Sequence, residues 1–70
     1  MEEVGVRDIE GLAMVGAVSK SRVVREGRSA WRLCVETVDG RELCTPPLQR
    51  EELELVKRCV DHYSRIKLVR

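Results

Sequence analysis

From Trp31 onward the chain alternates. Trp31, Leu33 and Val35 are large and apolar, while Arg32, Cys34 and Glu36 fall between them, the period-two pattern of a half-buried strand. Asp39-Gly40 then supplies a turn, and two turn geometries compete. A two-residue loop would set Val35 against Cys44 and divide the apolar set between the two faces. A three-residue loop, Val38-Asp39-Gly40, with Gly40 in the left-handed region as a bulge, sets Val35 against Leu43 and keeps Trp31, Leu33, Val35, Leu43 and Thr45 on one face. The second register is the one expected.

Leu12 to Val24, LAMVGAVSKSRVV, is rich in β-branched and small residues, with Gly16 interrupting any helix, and reads as one long strand. Arg25-Glu26-Gly27-Arg28 resembles Val38-Asp39-Gly40-Arg41, so the same kind of bulged turn is expected there, pairing Ser21 with Trp31 and Ala17 with Val35. Val15, Ala17 and Val23 then join the apolar face. Val18, Lys20, Arg22, Arg28, Arg32, Cys34, Glu36 and Cys44 occupy the other. In residues 1–11, Val4 and Val6 alternate, which allows a short edge strand followed by a turn.

Pro46-Pro47 stops the third strand, because proline gives the ladder no N–H and forces the preceding residue out of the helical region. A helix is expected over residues 48–69. Glu51, Glu52 and Glu54 lie near its start and Arg65, Lys67 and Arg70 at its end, each sign matching the helix dipole. Leu53, Val56, Cys59, Val60, Tyr63 and Ile66, with Leu55 beside them, recur at three- and four-residue spacing and form the stripe that lies on the sheet. Arg58 and Asp61 look outward. Burying such side chains is worth about 1.5 to 3 kcal/mol each, which favours a closed sheet-and-helix sandwich over a free hairpin.

The expected architecture is therefore α+β within a single domain, residues 1–70: an antiparallel β-meander over 12–45, three-stranded, or four-stranded if residues 1–11 add an edge strand, with one C-terminal α-helix across one face. Seventy residues leave a small core with little stability in reserve. No apolar run approaches the ~18 residues of a membrane span, and the acidic Met1-Glu2-Glu3 opening is unlike a leader peptide. A cytoplasmic location is the default expectation.

Composition changes this picture in one respect. The formal net charge of +1 hides a segregation: residues 1–12 carry −3, residues 20–32 carry +4, residues 36–54 carry −4 and residues 55–70 carry +4. Such striping fits internal complementarity, head-to-tail association or a localised basic surface. Lys20, Arg22, Arg28 and Arg32 fall on one sheet face, with Arg25 at the adjoining tip, and together form a candidate nucleic-acid-binding surface able to neutralise several phosphates. The face offers no aromatic for base stacking, so such binding would be to backbone and salt-sensitive. The competing expectation is a protein-interaction or homo-oligomeric module using the sheet edges and a helix whose apolar character, extended by Leu55, Leu68 and Val69, exceeds what one small sheet needs.

Other chemistry has weaker support. Cys34 and Cys44 become cross-strand neighbours at a non-hydrogen-bonded position, where a disulfide can close, although two reduced thiols are the commoner state in the cytoplasm. With Cys59 and His62 they complete the ligand types of a Cys3His zinc site, but there is no Cys-x-x-Cys knuckle, and the hairpin thiols point away from the helix. His62 has no orienting group and nucleophile placed with it by the sequence. There is no phosphate-binding glycine loop and no hydrolase elbow. The expected class is a non-enzymatic binding module without a cofactor.

Overall fold

The computed structural model describes residues 2–69, with side chains through Tyr63. Its elements are β1 (Glu2–Glu3), α1 (Val6–Met14), β2 (Val18–Arg25), β3 (Trp31–Thr37), β4 (Glu42–Cys44) and α2 (Arg50–Val69). The strands form one sheet in the order β1-β4-β3-β2, with β1 parallel to β4 and the other pairs antiparallel. Thus α+β and the C-terminal helix stand, while the sheet is mixed and a second helix is present. The fourth, N-terminal edge strand allowed by the sequence is present, at Glu2–Glu3 rather than around Val4 and Val6, while α1 replaces the turn expected over residues 7–11 and the first part of the strand expected over 12–24.

That helix has local causes. Gly5 precedes it in an extended conformation, and its N–H donates to Asp8 Oδ2 at 3.2 Å, so the first turn carries an acidic residue where the dipole favours one. Val6, Ile9 and Ala13 recur at helical spacing; Ile9 and Ala13 are buried and Val6 packs against the core. Gly16 ends the helix with φ +75°. Its N–H donates to Ala13 O at 3.0 Å and that of Ala17 to Leu12 O at 2.9 Å, the paired bonds of a Schellman cap. The glycine read as a helix breaker is a helix terminator, two residues past Met14.

The β3–β4 hairpin has the expected register. Val35 faces Leu43 and Cys34 faces Cys44, Thr37 N donates to Arg41 O at 2.8 Å, and Gly40 sits at φ +91°. The Thr37 hydroxyl donates to Asp39 Oδ1, a contact that holds the Asp39 carboxyl below its ordinary range. The β2–β3 pairing is offset from expectation: Ser21 faces Val35, Val23 faces Leu33 and Arg25 faces Trp31. The turn keeps its three residues but lies two positions later, at Gly27-Arg28-Ser29, closed by Glu26 N donating to Ala30 O at 2.8 Å. Because the offset is an even number of residues, Lys20, Arg22 and Arg32 keep their expected face. A bulge between Val18 and Lys20 rotates Val18 onto the core side opposite Thr37, against expectation, and the Ser19 hydroxyl donates to Glu36 O at 3.1 Å.

Pro46-Pro47 interrupts pairing without ending it. Thr45 N donates to Leu33 O, and Trp31 and Leu48 exchange backbone bonds of 2.9 and 2.7 Å beyond the prolines. Helix α2 then begins at Arg50, with Leu53 N bonded to Gln49 O. Leu53, Val56 and Val60 are buried against Leu33, Val35 and Leu43, and α1 adds Ile9 and Ala13 to the same core, so both helices cover one face. Cys59 and Tyr63 are half-buried, Leu55 is exposed, and Arg58 is exposed as expected. Asp61 is half-exposed and pairs with Lys57 at 2.8 Å. Val15 and Val23, expected in the core, are exposed, because Val15 lies in the cap of α1 and Val23 on an edge strand. The side chains of Ile66, Leu68 and Val69 lie outside the described residues.

Candidate functional site

Register dictates what stands on the sheet face away from the helices. Lys20, Arg22 and Val24 come from β2, Arg32, Cys34 and Glu36 from β3, Glu42 and Cys44 from β4, and Glu3 from β1. Cys34 and Cys44 are joined as a disulfide, with Cα atoms 4.0 Å apart. No helix covers them, yet they are 2% and 1% exposed. Their cover is ionic. Arg22 reaches diagonally across β3 to Glu42 at 2.7 Å, and Arg32 reaches across β4 to Glu3 at 3.2 Å. The two ion pairs flank the disulfide.

The five candidate bases therefore part ways. Arg22 and Arg32 are committed to carboxylates of their own chain, and Arg32 has Glu26 Oε2 3.5 Å from its buried Nε, which makes no hydrogen bond. Arg25 turns back on its own loop, donating to Gly27 O at 2.9 Å and Arg28 O at 3.3 Å. Among the described residues Lys20 and Arg28 alone of the five make no ion pair or side-chain hydrogen bond, and Lys20 faces Glu36 across the ladder. On the open face Lys20, Arg22 and Arg32 stand beside Glu3, Glu36 and Glu42, with Glu26 reaching Arg32 from the adjoining tip. Of the meanings of charge striping, internal complementarity is what the geometry displays: Glu2 also pairs with Arg41 at 2.6 Å, which raises the Arg41 pKa further.

The acidic partners were the part that sequence reasoning missed. The Asp39-Gly40 register already placed Glu42 diagonal to Cys34. The first loop, placed two residues too early, however, kept Arg22 away from that position, and Glu3 needed the parallel β1–β4 pairing.

A second feature is the outer edge of β2. Leu33 and Thr37 turn their backbone groups toward β4, so Cys34 and Glu36 turn theirs toward β2, where they meet Arg22 and Lys20. The backbone groups of Ser21 and Val23 then point away from the sheet. Ser19 through Val23 are exposed. This strand carries Lys20, Arg22 and Arg25 and no acid.

The remaining candidates stay apart. Cys59 is a free thiol on α2 whose pKa burial pushes up, with Glu10 adding to the shift. His62 is exposed, edge-on to Tyr63 at 5.2 Å. Cys34 and Cys44 are bonded to each other, and no group of three or more His, Cys, Asp or Glu among the described residues is placed to hold a metal ion. No helix among the described residues is long and apolar enough to cross a membrane. No protein-family model matches the chain, and no curated protein or solved structure is significantly similar to it.

Proposed function

We propose that this chain is a non-enzymatic protein-interaction module that accepts an extended acidic segment of a partner protein along the outer edge of β2. The observation that carries the reading is the edge strand itself: eight residues, paired on one side only, with outward-directed backbone groups at Ser21 and Val23. Such an edge is a template for strand addition. Charge selects the occupant. Antiparallel pairing of β2 with a second copy centred on Ser21 or on Arg22 sets Lys20 against Arg22, or Arg22 against itself, and like charges opposed across strands are destabilising. A partner strand that alternates acids with small apolar residues meets Lys20, the one base of the open face without an ion pair among the described residues, and meets Ser21 and Val23 on the helix side.

The nucleic-acid reading loses support because the open face is charge-balanced and Arg22 and Arg32 are already engaged. The cytoplasm remains the proposed setting. A Cys34–Cys44 bond there belongs to the class of responsive disulfides and not of permanent staples.

The test is a fluorescence-anisotropy titration with a short labelled peptide alternating glutamate and valine, its lysine counterpart, and a duplex oligonucleotide. Saturable binding of the acidic peptide alone, weakened several-fold in Lys20→Glu, is expected. Duplex binding that falls steeply with salt, with no response to the acidic peptide, would move the assignment to nucleic acid.

A further inference from the structure

A recess of about 180 Å3 opens on the face of the sheet away from the helices. Lys20 and Arg22 of β2, Cys34 and Glu36 of β3, and Glu42 of β4 contribute to its walls. Cys34 lines this recess and Cys44 does not. The disulfide runs from β3 to β4, and the recess, bounded by β2 on one side and closed by Glu42 of β4 on the other, borders its Cys34 end alone. A thiolate that breaks a disulfide approaches one sulfur and expels the other, and this approach is the one the recess offers.

We propose that Cys34–Cys44 is a thiol–disulfide exchange site for a dithiol reductant, attacked at Cys34 Sγ through this recess, with the Arg22–Glu42 ion pair as its lid. The first reductant thiolate bonds to Cys34 Sγ, and the electron pair of the broken bond leaves on Cys44, which takes up a proton. The second reductant thiol, deprotonated, attacks its own sulfur in the mixed disulfide and expels the Cys34 thiolate. The reductant ends as a cyclic disulfide, oxidised by two electrons, and the protein ends with two thiols. Lys20, which makes no ion pair among the described residues, stands at the recess where the incoming thiolate and the departing Cys34 thiolate carry negative charge, and a nearby cation favours the thiolate form.

The lid is built to open. Arg22 and Glu42 bond at 2.7 Å, but their side chains are 61% and 40% exposed, and exposed pairs are weak. The pair on the other flank uses Arg32, whose side chain is only 20% exposed. The two approaches to the disulfide are thus unequal, and the looser one leads to Cys34.

Two readouts test this. Oxidised protein is treated briefly with glutathione, a monothiol that has no second thiol to resolve the mixed disulfide intramolecularly, then acid-quenched before a second glutathione reacts, alkylated and mapped by mass spectrometry, which also separates any adduct on Cys59. Glutathione on Cys34 with Cys44 alkylated is expected; equal labelling of both, or a preference for Cys44, overturns the proposal. The rate of reduction by dithiothreitol is then compared in wild type, Arg22→Gln and Glu42→Gln, with circular dichroism confirming the fold. Loss of either lid partner is expected to speed reduction by about two- to fivefold, the most an exposed ion pair is worth. A faster Glu42→Gln with an unchanged or slower Arg22→Gln would mean that charge alone sets the rate, and the lid would be abandoned.

Discussion

Leu33 and Cys34 are neighbours in β3, point to opposite faces of the sheet, and are 0% and 2% exposed. They are hidden by different means. Leu33 lies under α1 and α2 in an apolar core that includes Ile9, Val56 and Val60. Cys34 has no layer above it, only the disulfide to Cys44 and the ion pairs that flank it. Equal burial therefore does not mean equal contribution. Apolar packing against two helices carries both transfer and cavity costs when it is removed, whereas exposed ion pairs contribute little and are screened by salt. Packing energy resides on one face, while the contribution of the other rests on its disulfide and its ion pairs and so depends on redox state and ionic strength.

Three substitutions grade that difference. Leu33→Ala, which hollows the helix-covered face, is expected to cost about 2 to 5 kcal/mol in urea unfolding, a large fraction of what a domain this small holds. The paired change Cys34→Ser with Cys44→Ser removes a cross-link between residues ten apart. It is expected to cost about 2 to 3 kcal/mol through unfolded-state entropy, with no change in far-UV circular dichroism. Arg22→Ala should cost under about 1 kcal/mol and should lose even that in high salt. A loss for Arg22→Ala as large as that for Leu33→Ala would erase the contrast between the faces.

How much of this was legible in the sequence depended on parity and on turn chemistry. Alternation through Trp31 to Val35, together with Asp39-Gly40, gave the β3–β4 register to the residue, including the juxtaposition of Cys34 and Cys44. The first turn was read at the right length but two residues too early; an even offset keeps strand side chains on their faces, so Lys20, Arg22 and Arg32 were placed on the right side beside the wrong neighbours, while Arg28 passed from the ladder into the loop. Val18 escaped because a bulge adds one residue and inverts the face locally. Helix α1 escaped because it is short and its Val and Gly residues suggest strand and turn. Its signals were Asp8 reaching back to Gly5 and Gly16 as a cap, each legible only with Ile9 and Ala13 recognised as a helical pair. For the candidate site, the bases were found and their partners were not: Glu3 and Glu42 come from β1 and β4, brought to the face by long-range pairing that no local pattern encodes.

The edge of β2 is where that charge pattern meets a function, and amide hydrogen exchange on the chain, with and without the alternating acidic peptide, tests the claim most directly. In the uncomplexed protein the amides of Lys20 and Arg22, which face β3, should exchange slowly, and those of Ser21 and Val23, which point off the sheet, should exchange fast. Addition of the peptide should protect Ser21 and Val23 and leave the β3–β4 hairpin unchanged. Protection that leaves Ser21 and Val23 exchanging as before, and appears instead on α2 or at the 26–30 tip, would contradict strand addition at this edge.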